Sequence, residues 1–564
     1  MDLYTRGTNP EFWKEVRQKD CYKKYREELC RLWKTHCEDK PILALTYRDF
    51  KLFWTTGDRK TYENAYFSRR LALDSAALLS LIYPEEDKYI NRLMDQIYAM
   101  CDEYTWALPA HQPVLENNNN SMIDLFAAET GFALAEIYTL LGDRLEPLIK
   151  NRIIAEIDRR IIYPFLETDK YSHWELGRTN WTAVCMGSVG CTFMLMRPDL
   201  ADEKLLERID GSMNTFLGGF STEGICYEGC GYWHYGFGFF TVYADMVKKY
   251  TNGRVDYFSR TDVRKISTFI QKMFISGMAC VSFSDGARTQ QYHLGLLHYL
   301  KNIYPEDIVV YHPDLSYNYD SCGRFCLHLR SALWLDEKIY YNSENDDVES
   351  EYHAHEAQWF IKRNKNYGFA AKGGSNEEPH NQNDVGCFIF AKNGRQLLAD
   401  LGAGKYTRQY FDHRSRYTIL ECSSRSHNVP IINGTYQKEG RPFRAKNVHM
   451  SDGVFECDIA GAYENIAPLR SLVRRFSFDE KKVYLTDSYD YDAPVCITER
   501  FVSLYEPEID NENAIVRIGD AIIRYNKEIC TPIINTEKRI AGDTCYFVDF
   551  IIPAGTPSFF LEIE

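Results

Sequence analysis

From about residue 10 to 305 the apolar positions recur every three or four residues, the period of a helix with one buried face. Residues 65–83 (AYFSRRLALDSAALLSLIY), 122–141 (MIDLFAAETGFALAEIYTLL) and 145–163 carry this pattern, and 205–217, 232–250 and 263–278 continue it. Residues 182–196 are small and apolar on nearly every side, which predicts an inner helix. Short loops such as Gly142-Asp143 and Arg197-Pro198-Asp199 separate neighbours, so consecutive helices should run antiparallel. Many such hairpins without a tight repeat predict an α/α toroid or an irregular solenoid.

Near residue 305 the pattern changes. Residues 305–320 read as loop, and 325–335 as a last helix or a first strand. Asn342-Ser343-Glu344-Asn345-Asp346-Asp347 is an acidic break. Beyond it, 359–363, 367–371, 386–390, 483–490, 515–525 and 546–552 read as strands parted by Gly, Asn and Asp turns, the signature of an antiparallel β-sandwich. The expectation is a multidomain α + β chain, with an α/α toroid over 1–340 and a β-sandwich over 341–564.

The stretch from Glu378 to Phe390 (EPHNQNDVGCFIF) starts polar and ends apolar. Read as a strand, it places His380, Gln382 and Asp384 on one face. A polar strand entry with an Asx turn is the plain alternative.

A net charge of −14 excludes the broad basic face of a nucleic-acid binder, but leaves room for a local basic cleft. Arg69 and Arg70, and Arg408, Arg414, Arg416 and Arg425, could offer guanidinium forks to carboxylate or sulfate. For any single one a solvated charge is the simpler reading. The 40 Tyr and nine Trp suit a sugar cleft, having flat apolar faces and polar tips, although most must be packing. Seventeen cysteines without a CxxC pair, several of them in apolar runs (Cys185, Cys191, Cys280, Cys387), read as reduced and buried. The first residues carry no apolar signal region, and no run reads as a membrane span. These features predict a cytoplasmic protein without a membrane partner; association with a second copy is left open.

Three further groups could carry chemistry. Asn180 opens the inner helix, where its plain role is an N-cap. Glu228 to Gly238 (EGCGYWHYGFG) rings aromatics with glycines, and Tyr232, Tyr235 and Phe239 share a helical face. Packing between helices is the plain reading, but a phenol beside an opening can carry a proton. Gln382, Asp400 and His427 could converge as an amide oxygen, an acid and an imidazole on one divalent metal, zinc or a harder ion.

Residues 123–130 (IDLFAAET), Asn180-Trp181, Glu228 to Gly236, 380–386 (HNQNDVG) and 426–430 (SHNVP) together resemble the heparinase II/III-like polysaccharide lyases. The resemblance implies an α/α toroid followed by an antiparallel β-sandwich, with a cleft between them. It makes Asn180 the group that neutralises the substrate carboxylate, Tyr235 the tyrosine acid/base with Tyr232 as the alternative, and His380 the second acid/base. Arg178, Trp181, Glu129, Asn381, Arg416 and Tyr417 become substrate contacts. Asp400 and His427 match two ligands of a structural metal whose third ligand is often a histidine; here that position is Gln382, so the ion could be zinc, another divalent metal, or none.

The implied reaction is β-elimination at a uronate. Removing C5–H builds charge on the carboxyl group, and a preorganised donor such as Asn180 can contribute roughly 3–4 kcal/mol there. The expected substrates are glycosaminoglycans (heparin or heparan sulfate, hyaluronan, chondroitin sulfate) or their oligosaccharides, giving 4,5-unsaturated ends. Alternatives are a lyase of alginate or another polyuronate, a glycoside hydrolase using Glu129 and Glu228, and a non-catalytic glycan-binding protein.

Overall fold

The computed structural model describes residues 3–113, 120–168, 173–290, 293–310, 320–342 and 349–564. The acidic break at 343–347 and most of the predicted 305–320 loop lie outside them. The chain divides into two compact units. Met1–Gly219, Trp233–Arg264 and Gln291–Glu344 form a helical unit; Phe220–Tyr232, Lys265–Gln290 and Asn345–Glu564 form a β unit. Two short stretches from the helical part of the sequence thus pack with the strands.

In the helical unit, buried and amphipathic helices alternate. Lys60–Ile82, Leu125–Leu141, Asn180–Met196 and Gly238–Tyr250 bury most of their surface. Asp87–Cys101, Pro147–Ile157 and Glu203–Leu217 bury one stripe only, such as Ile90, Leu93, Ile97 and Met100. This is what the α/α toroid reading requires: inner helices apolar all round, outer helices with a wet face. Carboxylates start two of these helices. Asp124 accepts from Ala127 N at 2.7 Å, and Asp202 from Leu205 N at 2.9 Å.

Leu125–Arg144 is, contrary to the sequence expectation, long and apolar enough to cross a membrane. Most of it is buried inside the unit against Asn180–Met196, which is how an inner helix of a protein core behaves.

One open alternative is decided and two expectations change in detail. Residues 325–335 resolve as a helix, Phe325–Leu333. The predicted 263–278 helix stops at Met273; Phe274–Ser276 turns into a strand paired with Ala279–Cys280 around Gly277 at φ +51°. The 232–250 helix is interrupted by a π turn at Trp233–Phe237. Its wider turn breaks the three-residue spacing that seemed to put Tyr232 and Tyr235 on one face.

The β unit contains antiparallel sheets of eight, five and four strands. The five-stranded sheet runs Ser350–Ala354, Trp359–Arg363, Gly368–Lys372, Phe388–Lys392, Arg395–Leu398. Its inner face meets the long strands Leu469–Phe478 and Val483–Tyr491 in one core, where Phe369, Phe388, Phe476 and Phe501 are fully buried. Gly368 is required: a Cβ there would lie 2.0 Å from Ile275 O. Inside this core sits a charge, Arg474, paired with Asp487 at 2.7 Å and Glu499 at 2.8 Å.

Candidate functional site

The motifs of the β unit converge on a loop that the sequence did not single out, Ser282 to Ala287. Gly402, at φ +65°, is pressed so closely on it that a Cβ would lie 2.0 Å from Gly286 O. Gly229, at φ +100°, backs onto Gly286 from another segment, with a Cβ distance of 3.2 Å. Ala403 N donates to Gly286 O at 3.1 Å. Only glycine fits these approaches, which explains why glycines accompany both motifs. The loop presents Asp285, whose side chain is fully buried.

Asp285 gathers five donors. Oδ2 accepts from His380 Nδ1 at 2.6 Å and from the Tyr406 hydroxyl at 3.2 Å. Oδ1 accepts from Tyr410 OH, from Arg416 Nη2 at 3.2 Å and from Gln382 Nε2 at 3.3 Å. Burial opposes ionisation of Asp285, but His380 and Arg416 outweigh it and hold the carboxyl below its usual range. His380 is its mirror: burial pushes the imidazole down, and the Asp285 hydrogen bond, with the charges of Asp285 and Glu228, more than reverses this. The ring stacks on Tyr232 with centroids 4.3 Å apart, and Nε2 lies 3.5 Å from Glu228 Oε1. Tyr232 OH meets Tyr406 OH at 2.7 Å.

The strand reading of 380–384 does not hold. His380 sits in a turn at φ +57°, ahead of the strand Phe388–Lys392, so His380, Gln382 and Asp384 do not line one strand face. Their partners differ accordingly. Asp384 binds Lys372 Nζ at 2.8 Å, and Gln382 Nε2 donates to Gly402 O at 3.0 Å.

In the helical unit Asn180 is the first residue of its helix and is buried; Thr179 occupies the N-cap position instead. A Cβ on Gly236 would lie 3.0 Å from Asn180 Cα, so that glycine lets the Tyr235 turn close on Asn180. Tyr235 donates its hydroxyl to Glu129, and Arg324 covers its ring at 3.7 Å. Burial first, then the neighbouring Glu129, pushes this phenol well above its usual range. Burial also raises Glu129 to about 7 against the pull of Arg324. A carboxyl titrating near neutrality beside a phenol is suited to proton transfer.

The sign of that shift gives a stability prediction. A carboxyl raised from 4.5 to about 7 on folding contributes stability that is fully present below 4.5 and lost as pH rises through about 7. Relative to Glu129→Gln, the wild type should therefore lose about 3 kcal/mol across that window. Thermal melts of both proteins from acid to neutral pH check this; parallel curves would refute it.

Of the expected substrate contacts, Arg178 is exposed and Trp181 half-buried, its ring centroid 4.7 Å from that of His111 and 5.6 Å from that of His173. Asn381 reaches the half-buried Tyr417 hydroxyl at 3.3 Å. Glu129 is committed to Tyr235. Arg416 is buried, spending its guanidinium on Asp285 and on the carbonyls of His380, Asn381 and Tyr410, so it holds the His380 turn. Arg69 and Arg70, for which a sugar contact and a solvated charge are the two readings, are instead buried on Glu103.

At the expected metal centre the thiol of Cys387, which the sequence reads only as a small buried residue, joins Asp400 and His427, while the buried Gln382 Oε1 has no hydrogen-bond partner among the described residues. His427 Nδ1 lies 3.2 Å from Asp400 Oδ2, and Cys387 Sγ lies 3.8 and 3.9 Å from these atoms. Tetrahedral zinc, with bonds of about 2.0–2.3 Å, needs ligand atoms roughly 3.3–3.8 Å apart, so the donor set fits such an ion. Cys387, Asp400 and His427 would hold it, joining two strands and the 424–427 turn. If so, a chelator should lower the melting temperature and elemental analysis should find one divalent ion per chain. An ion-free protein with an unchanged melt would remove the metal and leave His427 as an imidazolium paired to Asp400.

No family model and no curated protein matches the chain. Solved structures do. A mutant heparan sulfate lyase from Pedobacter heparinus superposes with a TM-score of 0.61 at 12% identity, over 100% of this chain and 86% of that one. The Streptomyces coelicolor A3 chondroitin AC lyase, in complex with chondroitin sulphate, gives 0.57 at 10% identity over 98% and 82%. A Paenibacillus xanthan lyase gives 0.54 at 8% identity over 100% of this chain and 59% of that one. With helices first, antiparallel sheets after them and neighbours of this kind, the chain has the heparinase-like polysaccharide lyase fold.

Proposed function

We propose that this protein is a polysaccharide lyase that cleaves uronate-containing glycans by β-elimination, acting on glycosaminoglycan chains or their oligosaccharides. The observation that carries the reading is the phenol of Tyr232 stacked 4.3 Å from the imidazole of His380, beside Asp285 and Glu228. A base must take C5–H and an acid must protonate the leaving O4; each transfer is worth roughly 10²–10⁴ in rate. Carboxylates on both ring nitrogens favour the imidazolium, so His380 is the acid and Tyr232 the base. Asn180 keeps the carboxylate-neutralising role that the resemblance implies. A second reading rests on Tyr235 and Glu129, because that carboxyl titrates near neutrality and receives the phenol's hydrogen bond.

The test is incubation with heparan sulfate, hyaluronan, chondroitin sulfate and alginate, following ultraviolet absorbance of the unsaturated product. New reducing ends without that absorbance would mean a hydrolase. Binding without product would mean a glycan-binding protein.

A further inference from the structure

We propose that Asp285 is the positioning residue of this site: it fixes the His380 hydrogen on Nδ1, leaves Nε2 as the proton-exchanging atom, and through Tyr406 holds the Tyr232 oxygen in place. The assignment rests on the lyase reading for its kinetics, but not for its structural readout.

The hydrogen-bond inventory fixes the orientation of His380. An ionised carboxylate only accepts, so His380 Nδ1, 2.6 Å from Oδ2, must carry a hydrogen. Tyr406 has a single hydroxyl hydrogen and donates it to the same oxygen at 3.2 Å. At 2.7 Å from Tyr406, the Tyr232 hydroxyl extends this chain; either phenol can donate to the other, so Tyr406 can support Tyr232 as a phenol or, when it acts as the base, as a phenolate. One carboxylate oxygen thus fixes the His380 hydrogen and, through Tyr406, holds the Tyr232 oxygen in place.

The backbone is bent to make this contact. Ser284, next to Asp285, stands at φ +63°, and His380 at φ +57°. Two non-glycine residues in the left-handed region, one on each side of a single hydrogen bond, mark a contact that the surrounding structure imposes. Gly229 and Gly402 clasp the following Gly286 and keep the loop from retreating. On its other oxygen, the Tyr410 hydroxyl, Gln382 Nε2 and Arg416 Nη2 hold Asp285, and the guanidinium cannot accept a hydrogen.

That asymmetry makes Asp285→Asn informative. The new amide nitrogen cannot face Arg416, so it must turn to His380 and Tyr406, both able to accept. The imidazole is driven to the opposite tautomer, with its hydrogen on Nε2.

The experiment is nitrogen-15 NMR of histidine-labelled full-length protein at alkaline pH, where the ring is neutral, alongside steady-state kinetics on the best uronate polymer. Wild-type His380 should carry its hydrogen on Nδ1 and the Asp285→Asn ring on Nε2. Turnover should fall by about 10³-fold with KM within about threefold. A wild-type ring protonated on Nε2, or an Asp285→Asn variant with unchanged turnover, would overturn the assignment. If Asp285→Asn does not fold, Tyr406→Phe serves: it leaves His380 on Asp285 but removes the hydroxyl bonded to Tyr232, and undiminished turnover would sink the link to the phenol. Should the tautomers come out as expected while no polymer is cleaved, the lyase reading falls and the positioning of His380 stands.

Discussion

Tyr232→Phe should lower turnover of a uronate polymer by about 10²–10⁴-fold while changing KM little, because the ring that stacks on His380 remains and only the proton-carrying oxygen is lost. Tyr232 is half-buried, whereas Tyr235 is buried. Tyr235→Phe is the matched control. It deletes the hydrogen bond to Glu129 and should cost mainly stability. If Tyr235→Phe abolishes turnover and Tyr232→Phe spares it, the proton carriers are Tyr235 and Glu129. Product absorbance under saturating substrate decides between them.

Arg474→Met should be the most destabilising single change in the β unit. The guanidinium is completely buried and binds Asp487, Glu499, Gly386 O at 3.0 Å and Asn428 O at 2.6 Å. Removing it strands two carboxylates in an apolar core, at a cost of about 3–5 kcal/mol. It also releases the carbonyls that tie the 380–386 and 426–430 motifs to the sheet. Burial, followed by Asp487, already raises Glu499 well above its usual range. Without Arg474 the Glu499 carboxyl is raised further, so the stability of the variant should be greatest in acid and fall as pH rises toward neutrality. Thermal melts of Arg474→Met across pH test this, with Arg470→Ala as the comparison. Arg470 sits on the same strand, but its pairs with Asp490 and Asp492 are exposed and screened by water, so its loss should barely move the melt. Equal losses from the two variants would mean that the buried network contributes nothing special.

Much of the architecture is local and so is written in the chain. The helical period fixes which faces of 60–101 and 125–217 are buried, and the all-apolar 182–196 segment could only be an inner helix. The strands at Trp359–Arg363 and Val483–Tyr491 follow from alternation and turn residues. The resemblance, carried by short motifs in both parts of the sequence, named Asn180, Tyr232, Tyr235 and His380. Where the sequence failed, it failed on geometry that has no period. His380 lies in a left-handed turn, which alternation cannot describe, and the π turn at Trp233–Phe237 shifts a phase that the three-residue spacing assumes.

By itself, then, the sequence determined the elements, their burial and the residue types able to move a proton. Only the tertiary structure decided which of them meet. Asp285 and His380 are 95 positions apart, and Cys387 and His427 are 40 apart. Arg69, Arg70 and Arg416 look like surface charges until folding sets buried carboxylates against them. Partner choice at such separations depends on how loops pack, on close glycine approaches such as Gly402 over Gly286, and on the need of every buried charge for a counter-charge. These constraints act between segments, and no window along the chain contains them.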